Sequence, residues 1–162
     1  NIEDNPEIRI IDDGSGMIEK EVREEYLNIA NSRTARKGKL SQKKRRKVKG
    51  RKGVGKFAGL MVAEVMILET LARGVKTTIT ISKSELSKAN YDLEKVPLPI
   101  STEKCDDDSK GTTITLKGLN QNFYYPNPDR LKEMLMRDFG REIDFNIKIN
   151  DEPIGVLDLI GK

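Results

Sequence analysis

Between Arg33 and Lys52 the chain carries 12 of its 30 lysines and arginines and no acidic residue. A run this dense in like charge, with almost no apolar side chains, cannot bury enough surface to offset the entropy of ordering it. It predicts a mobile loop. Outside the run, 18 basic residues face 26 acidic ones, so a basic segment sits on an acidic body although the formal net charge is only +4.

With 162 residues, 36% of them hydrophobic, the chain has the size and composition of one compact domain spanning 1–162, which we expect to be a fragment of a larger protein. No charged-then-apolar leader is present. The longest apolar stretch, Phe57 to Leu68, is broken by Glu64 and too short for a bilayer, so neither a membrane span nor a retained signal peptide is expected. The sequence has no histidine, which removes Ser-His-Asp triads, histidine-ligated metals and a phospho-accepting histidine from this segment. Cys105 is the only cysteine, so there is no internal disulfide and no multi-thiolate zinc site. A reducing, cytoplasmic setting is the expectation.

Hydrophobic periodicity orders the rest. Glu7 to Ile11 reads as a short strand stopped by the turn residues Asp12-Asp13-Gly14-Ser15-Gly16. Val22, Tyr26, Leu27 and Ile29 recur at helical spacing within Glu19 to Ala30. Gly53 to Ala63 fits a helix opening out of a glycine loop. Val65 to Thr70 and Val75 to Ser82 predict two strands joined at Arg73-Gly74, the second with Val75, Ile79 and Ile81 on its apolar side. Lys83 to Lys110 is polar and predicts an irregular or partly helical excursion, after which Gly111 to Leu119 resumes as a strand. Asn127-Pro128-Asp129 is a helix start, with Leu131, Met134, Leu135 and Phe139 as its stripe and Gly140 as its stop. The aromatic cluster Phe123-Tyr124-Tyr125-Pro126 reads as an anchor for that helix. A terminal ribbon, Phe145 to Ile149 and Ile154 to Leu159, would turn at Asn150 to Pro153. Strands and helices mix without strict βαβ alternation. The expected class is α+β: a two-layer sandwich of a mixed, mostly antiparallel sheet covered by helices on one face.

Two glycine segments invite a phosphate or nucleotide reading. Gly50 to Lys56 approaches a P-loop, but Phe57 stands where that motif needs a hydroxyl for Mg²⁺, and no buried strand precedes it. Gly53-x-Gly55-x-x-Ala58 resembles a dinucleotide fingerprint but lacks a βαβ unit. The physics shared by these motifs still applies: glycines let backbone N–H groups approach phosphate oxygens, and a helix N-terminus behind them adds unpaired donors and a favourable dipole. A glycine turn entering a packed helix is the plain alternative. The Asp12 turn likewise reads, by itself, as punctuation.

Their order along the chain is more specific. Ile10-Ile11-Asp12-Asp13-Gly14-Ser15-Gly16-Met17, a loop, Gly50 to Leu60, two strands, then Gly111-Thr112-Thr113-Ile114-Thr115-Leu116 resembles the GHKL superfamily of gyrase B, the ninety-kilodalton heat-shock chaperone, histidine kinases and MutL. The likeness covers three separately placed motifs and implies a Bergerat-like sandwich. By that resemblance Asp12 accepts the adenine amino group, Gly14 and Gly16 give the ring room, Met17 packs on the base and Thr112 lies near it. Gly50, Gly53, Val54, Gly55 and Lys56 would wrap the phosphates. A lid at about 31–52 would begin with Ser32 and Thr34 as polar contacts.

The same resemblance implies ATP or ADP with Mg²⁺ as cofactors, and lid closure coupled to conformational change or to an ATP-dependent homodimer of the parent protein. Its first motif, a helix of E-x-x-x-N type supplying the base and the metal ligand, has no match here. Glu3 and Asn5 lack the spacing, so no catalytic or metal residue is assigned. The competing expectation is a nucleic-acid-binding module that neutralises phosphates through Arg33 to Lys52 beside a degenerate nucleotide pocket. That run contains no aromatic residue for base stacking.

Overall fold

A computed structural model describes residues 5–27, 55–88, 98–140 and 145–155, within two compact units, Asn1–Asn120 and Gln121–Lys162. The first unit is built on a five-stranded sheet. Its strands are β1 (Ile8–Asp12), β2 (Ala63–Ala72), β3 (Val75–Ser82), β4 (Ile100–Lys104) and β5 (Gly111–Leu119), in the spatial order β1-β5-β2-β3-β4. All four pairings are antiparallel.

The register aligns one face. Ile8 and Ile10 stand opposite Leu116 and Ile114, these lie beside Met66 and Leu68, and those in turn face Ile81 and Ile79. Because side chains alternate between faces along a strand, these residues share the covered side. Met66, Leu68, Ile79, Ile81 and Leu116 are buried there in one cluster with Val22, Leu60 and Leu86, the inward residues of three short helical segments. The opposite face carries charged and hydroxyl side chains, among them Lys76, which pairs with Glu69 at 2.7 Å and Glu103 at 3.3 Å. Hydrogen bonds that the Lys76 ammonium donates to those carboxylates, Glu69 first, hold it above the usual lysine range. One apolar and one solvated face give the two-layer α+β arrangement expected from the sequence.

The helical segments differ in detail from expectation. After Asp12 the chain turns and enters α1 (Glu19–Glu21), which widens into a π-helical turn over Val22–Tyr26, where the Leu27 N–H reaches the Val22 carbonyl at 2.9 Å. Val22 is fully buried, and Tyr26 and Leu27 pack against the core, so the predicted stripe is present; Ile29 lies outside the described residues. The helix expected over Gly53 to Ala63 is instead a 3₁₀ turn, Gly55–Phe57, followed by one α-helical turn, α2 (Gly59–Val62). Ala63 is already extended and pairs with Leu119, and the Asn120 N–H bonds the Val62 carbonyl at 2.8 Å. Pairing with β5 therefore claims the residues that would have continued the helix. The polar excursion holds a short helix, α3 (Lys83–Lys88), and β4, an exposed edge strand not anticipated from its single apolar residue.

In the second unit α4 (Pro128–Phe139) begins as read, with Asn127 Oδ1 accepting the Arg130 N–H at 2.9 Å and Pro128 in the first turn. Its stripe is shifted: Met136 is buried while Met134 is 47% exposed. The hairpin is tighter than expected. β6 (Ile147–Ile149) and β7 (Glu152–Ile154) pair across only Asn150 and Asp151, whose φ values of 50° and 67° match a two-residue turn of type I′. Glu152 and Pro153 thus belong to the strand. Of the aromatic cluster, Tyr125 and Pro126 are half-buried, whereas Phe123 and Tyr124 are exposed.

Candidate functional site

The sheet register brings the two ends of the sequence-predicted base pocket together. Asp12, the last residue of β1, is the cross-strand partner of Thr112 near the start of β5. The turn leaving β1 is closed by Asp12 itself, whose Oδ1 accepts the Gly14 N–H at 2.8 Å. Asp12 is exposed, and among the described residues its second oxygen accepts no hydrogen bond. One oxygen therefore holds the turn, and the other is available to a donor.

Two glycines here are required by close approach. Gly16 has φ +61°, and a Cβ on it would strike the Leu71 carbonyl oxygen; Gly111 has φ +125°, and a Cβ there would strike the Asp12 carbonyl oxygen. The D-x-G-x-G turn thus lies directly on β2, and the Gly-Thr pair lies directly on β1. At Gly14 an added Cβ would crowd the Asp12 carboxylate.

Past the turn, the Met17 N–H donates to Thr70 Oγ1 at 2.8 Å, and the next one, Ile18 N–H, donates to Glu21 Oε2 at 3.0 Å. Glu21 also pairs with Arg73 at the β2–β3 turn. Met17 packs against the core. Thr70 was not singled out in the sequence, yet it is fully buried and bonds the Gly111 carbonyl at 3.2 Å, with Thr112 Oγ1 at 3.4 Å. The signal was there: β2 alternates Met66, Leu68, Thr70, Ala72 on its core face, and a hydroxyl interrupts that apolar row. One strand over, Thr77 Oγ1 is buried with no hydrogen-bond partner among the described residues.

Of the phosphate-binding residues predicted, Gly55 is exposed at the start of the 3₁₀ turn, Lys56 lies within that turn, and Gly50, Gly53 and Val54 fall outside the described residues. Ser32, Thr34 and the whole of Arg33–Lys52 also fall outside them. The helix dipole expected behind this segment shrinks to a 3₁₀ turn and one α-helical turn, which sums few peptide dipoles. Phe57, which breaks the P-loop pattern, packs against the core and against Tyr26. The carboxylates and thiol of the described residues form no group of three that could hold a metal ion. No described helix is long and apolar enough to cross a membrane.

A comparison with curated proteins gives no match. A family model described as histidine kinase-, DNA gyrase B- and HSP90-like ATPase matches residues 1–112, a span that runs through the Asp12 turn and the glycine segment and ends on Thr112. With well over half of its length matched, the chain belongs to the histidine kinase-, DNA gyrase B- and HSP90-like ATPase family and contains an ATP-binding, ATPase-type domain.

Proposed function

We propose that this ATPase-type domain binds the adenine of ATP between the Asp12 turn and the start of β5, and uses that binding to order the segment at about 31–52 as a lid. The observation that carries the reading is the pairing of Asp12 with Thr112, which sets a carboxylate oxygen and a hydroxyl on adjacent strands at one end of the covered face. Adenine presents an amino donor where guanine presents a carbonyl acceptor. A carboxylate therefore selects adenine, and a hydrogen bond to a charged group contributes about 1.5–3 kcal/mol. Gly14 and Gly16 leave the base room, and Met17 offers an apolar contact. Gly50, Gly53, Val54, Gly55 and Lys56 would supply backbone N–H groups and one positive charge to the phosphates. Ser32 and Thr34 would open the lid.

In this reading phosphate contacts from the 31–52 segment make it a nucleotide-dependent two-state element, passing closure to a neighbouring domain or a second copy in the parent protein. Mg²⁺ would neutralise phosphate charge when bound. No residue is assigned to it, and no step of hydrolysis is assigned to the described residues.

The rival reading, nucleic-acid binding through Arg33 to Lys52, rests on the 12 positive charges of that run. Salt separates the two, because counterion release makes binding through many lysines and arginines fall steeply with ionic strength, whereas a shaped base pocket responds weakly. Calorimetric titration with ATP and with an oligonucleotide at two salt concentrations is the test. ATP binding that persists at the higher salt supports the proposal; oligonucleotide binding that collapses with salt, in the absence of ATP binding, contradicts it.

A further inference from the structure

The geometry points to Thr70 as a positioning residue for the base pocket: its hydroxyl locks the Asp12 turn onto the Gly111-Thr112 segment. The inference rests on the adenine reading above and adds a residue outside both glycine motifs. A single buried oxygen serves both sides of the pocket. Thr70 Oγ1 accepts the Met17 N–H at 2.8 Å and donates its proton to the Gly111 carbonyl at 3.2 Å. A threonine hydroxyl has one proton and two lone pairs. With that proton committed to Gly111, the 3.4 Å contact with Thr112 Oγ1 has Thr112 as its donor. Thr112 is thereby oriented with its lone pairs left to act as acceptors, and Met17 is held at the exit of the turn.

The neighbouring strand explains why the hydroxyl matters. Thr70 pairs with Thr112 on one side and with Thr77 on the other, so a row of threonines crosses the core face at the end where β1 delivers Asp12. Thr77 Oγ1 has no partner among the described residues, but Thr70 bonds the turn of one motif and the strand of the other, residues 53 and 41 positions away. The Ile18 N–H, fixed by Glu21, which pairs with Arg73 just beyond the end of β2, fastens the same turn a second time. The next step of the chain is thus held by β2 and its turn, and a shift of β2 would move both walls of the pocket together.

Thr70→Val keeps the shape and branching and removes the hydroxyl; Thr70→Ser restores it. Nucleotide affinity should be measured by calorimetry for wild type and both variants, well below their melting temperatures. Amide exchange at Met17 should be followed in the same proteins. The expected result is a weakening of ATP binding by tenfold or more in Thr70→Val with a narrower preference for ATP over GTP, faster exchange at Met17, and recovery of both in Thr70→Ser. ATP binding by Thr70→Val equal to that of a binding wild type overturns this inference alone. Failure of the folded wild type to bind ATP overturns the adenine reading and this inference with it. Should Thr70→Val not fold, the wild-type exchange data decide: a Met17 amide that exchanges as fast as an exposed one overturns the lock.

Discussion

The ring of Tyr26 meets the ring of Phe57 edge-on, with centroids 6.0 Å apart and planes inclined by 69°. Tyr26 ends the π-helical turn that follows the Asp12 motif, and Phe57 ends the 3₁₀ turn that follows the glycine segment. The contact joins the described chain on either side of residues 28–54. It also gives Phe57, the residue that excludes a P-loop, a packing role.

Phe57→Ala should therefore destabilise the protein. Full truncation of a core phenylalanine costs about 3–5 kcal/mol, and an edge-to-face pair contributes about 0.5–1.5 kcal/mol beyond burial. Phe57 is only half-buried, so a loss of about 2 kcal/mol is expected. Urea unfolding measures it, and a change below about 0.5 kcal/mol, the range of ordinary surface substitutions, would show that the contact is incidental.

Burial also acts on the Tyr26 phenol, whose pKa desolvation pushes up to about 12 from 10.0. The neutral form is favoured in the folded state, so the stability linked to this group is intact below about pH 10 and is lost as pH rises towards 12. Titration of the tyrosinate absorbance should show a late component that Tyr26→Phe removes. A late component that survives the substitution places the shifted phenol elsewhere.

At Thr77 the prediction runs the other way. Its hydroxyl is buried without a partner among the described residues, and leaving such a group unsatisfied costs about 1–3 kcal/mol. Thr77→Val, which keeps the shape, should raise stability by about 1 kcal/mol in the same urea assay. A clear loss would mean that the hydroxyl is satisfied in solution.

Gly16→Ala tests the close approach of the turn to β2. The left-handed φ and the collision with the Leu71 carbonyl oxygen oblige the turn or the strand to move. The melting temperature should fall and ATP affinity should drop at least tenfold. Gly55→Ala supplies the contrast, because an added Cβ there meets nothing, and its melting temperature should stay close to wild type. Equal behaviour of the two would count against the packed turn.

Much of the fold was legible in the sequence, for a physical reason. β1 and β2 run into turns at Asp12 to Gly16 and at Arg73-Gly74, β3 opens from the second of these and β5 opens on Gly111, and β2 and β3 bury alternate residues, so a period of two is written into them. β4 buries almost nothing at its edge and therefore left no alternation to read. Gly59 to Val62 is continuously apolar, and such a run does not distinguish a helix from a strand; the pairing of Ala63 with Leu119 decides it. The ribbon was misread because Pro153, usually a turn residue, sits in a two-stranded hairpin where each strand is an edge and a missing N–H is tolerated. Asp12, Gly16 and Thr112, named through their motifs, are brought to one end of the sheet by the register and by the close approach of the turn to β2. Thr70 was passed over because threonine is ordinary in a strand, although its place in the alternation of Met66, Leu68 and Ala72 sets it on the core face.

The most direct test of the adenine reading is the ratio of ATP to GTP affinity in wild type and Asp12→Asn. Asparagine can still accept the Gly14 N–H through its amide oxygen, as Asp12 Oδ1 does, so the turn should persist while the second oxygen becomes an NH₂ donor facing the adenine amino group. Losing a charge-assisted bond worth about 1.5–3 kcal/mol predicts roughly 10- to 150-fold weaker ATP binding. GTP binding should be unchanged or improved, and the melting temperature should stay close to wild type. ATP affinity and selectivity that survive Asp12→Asn intact would contradict the account.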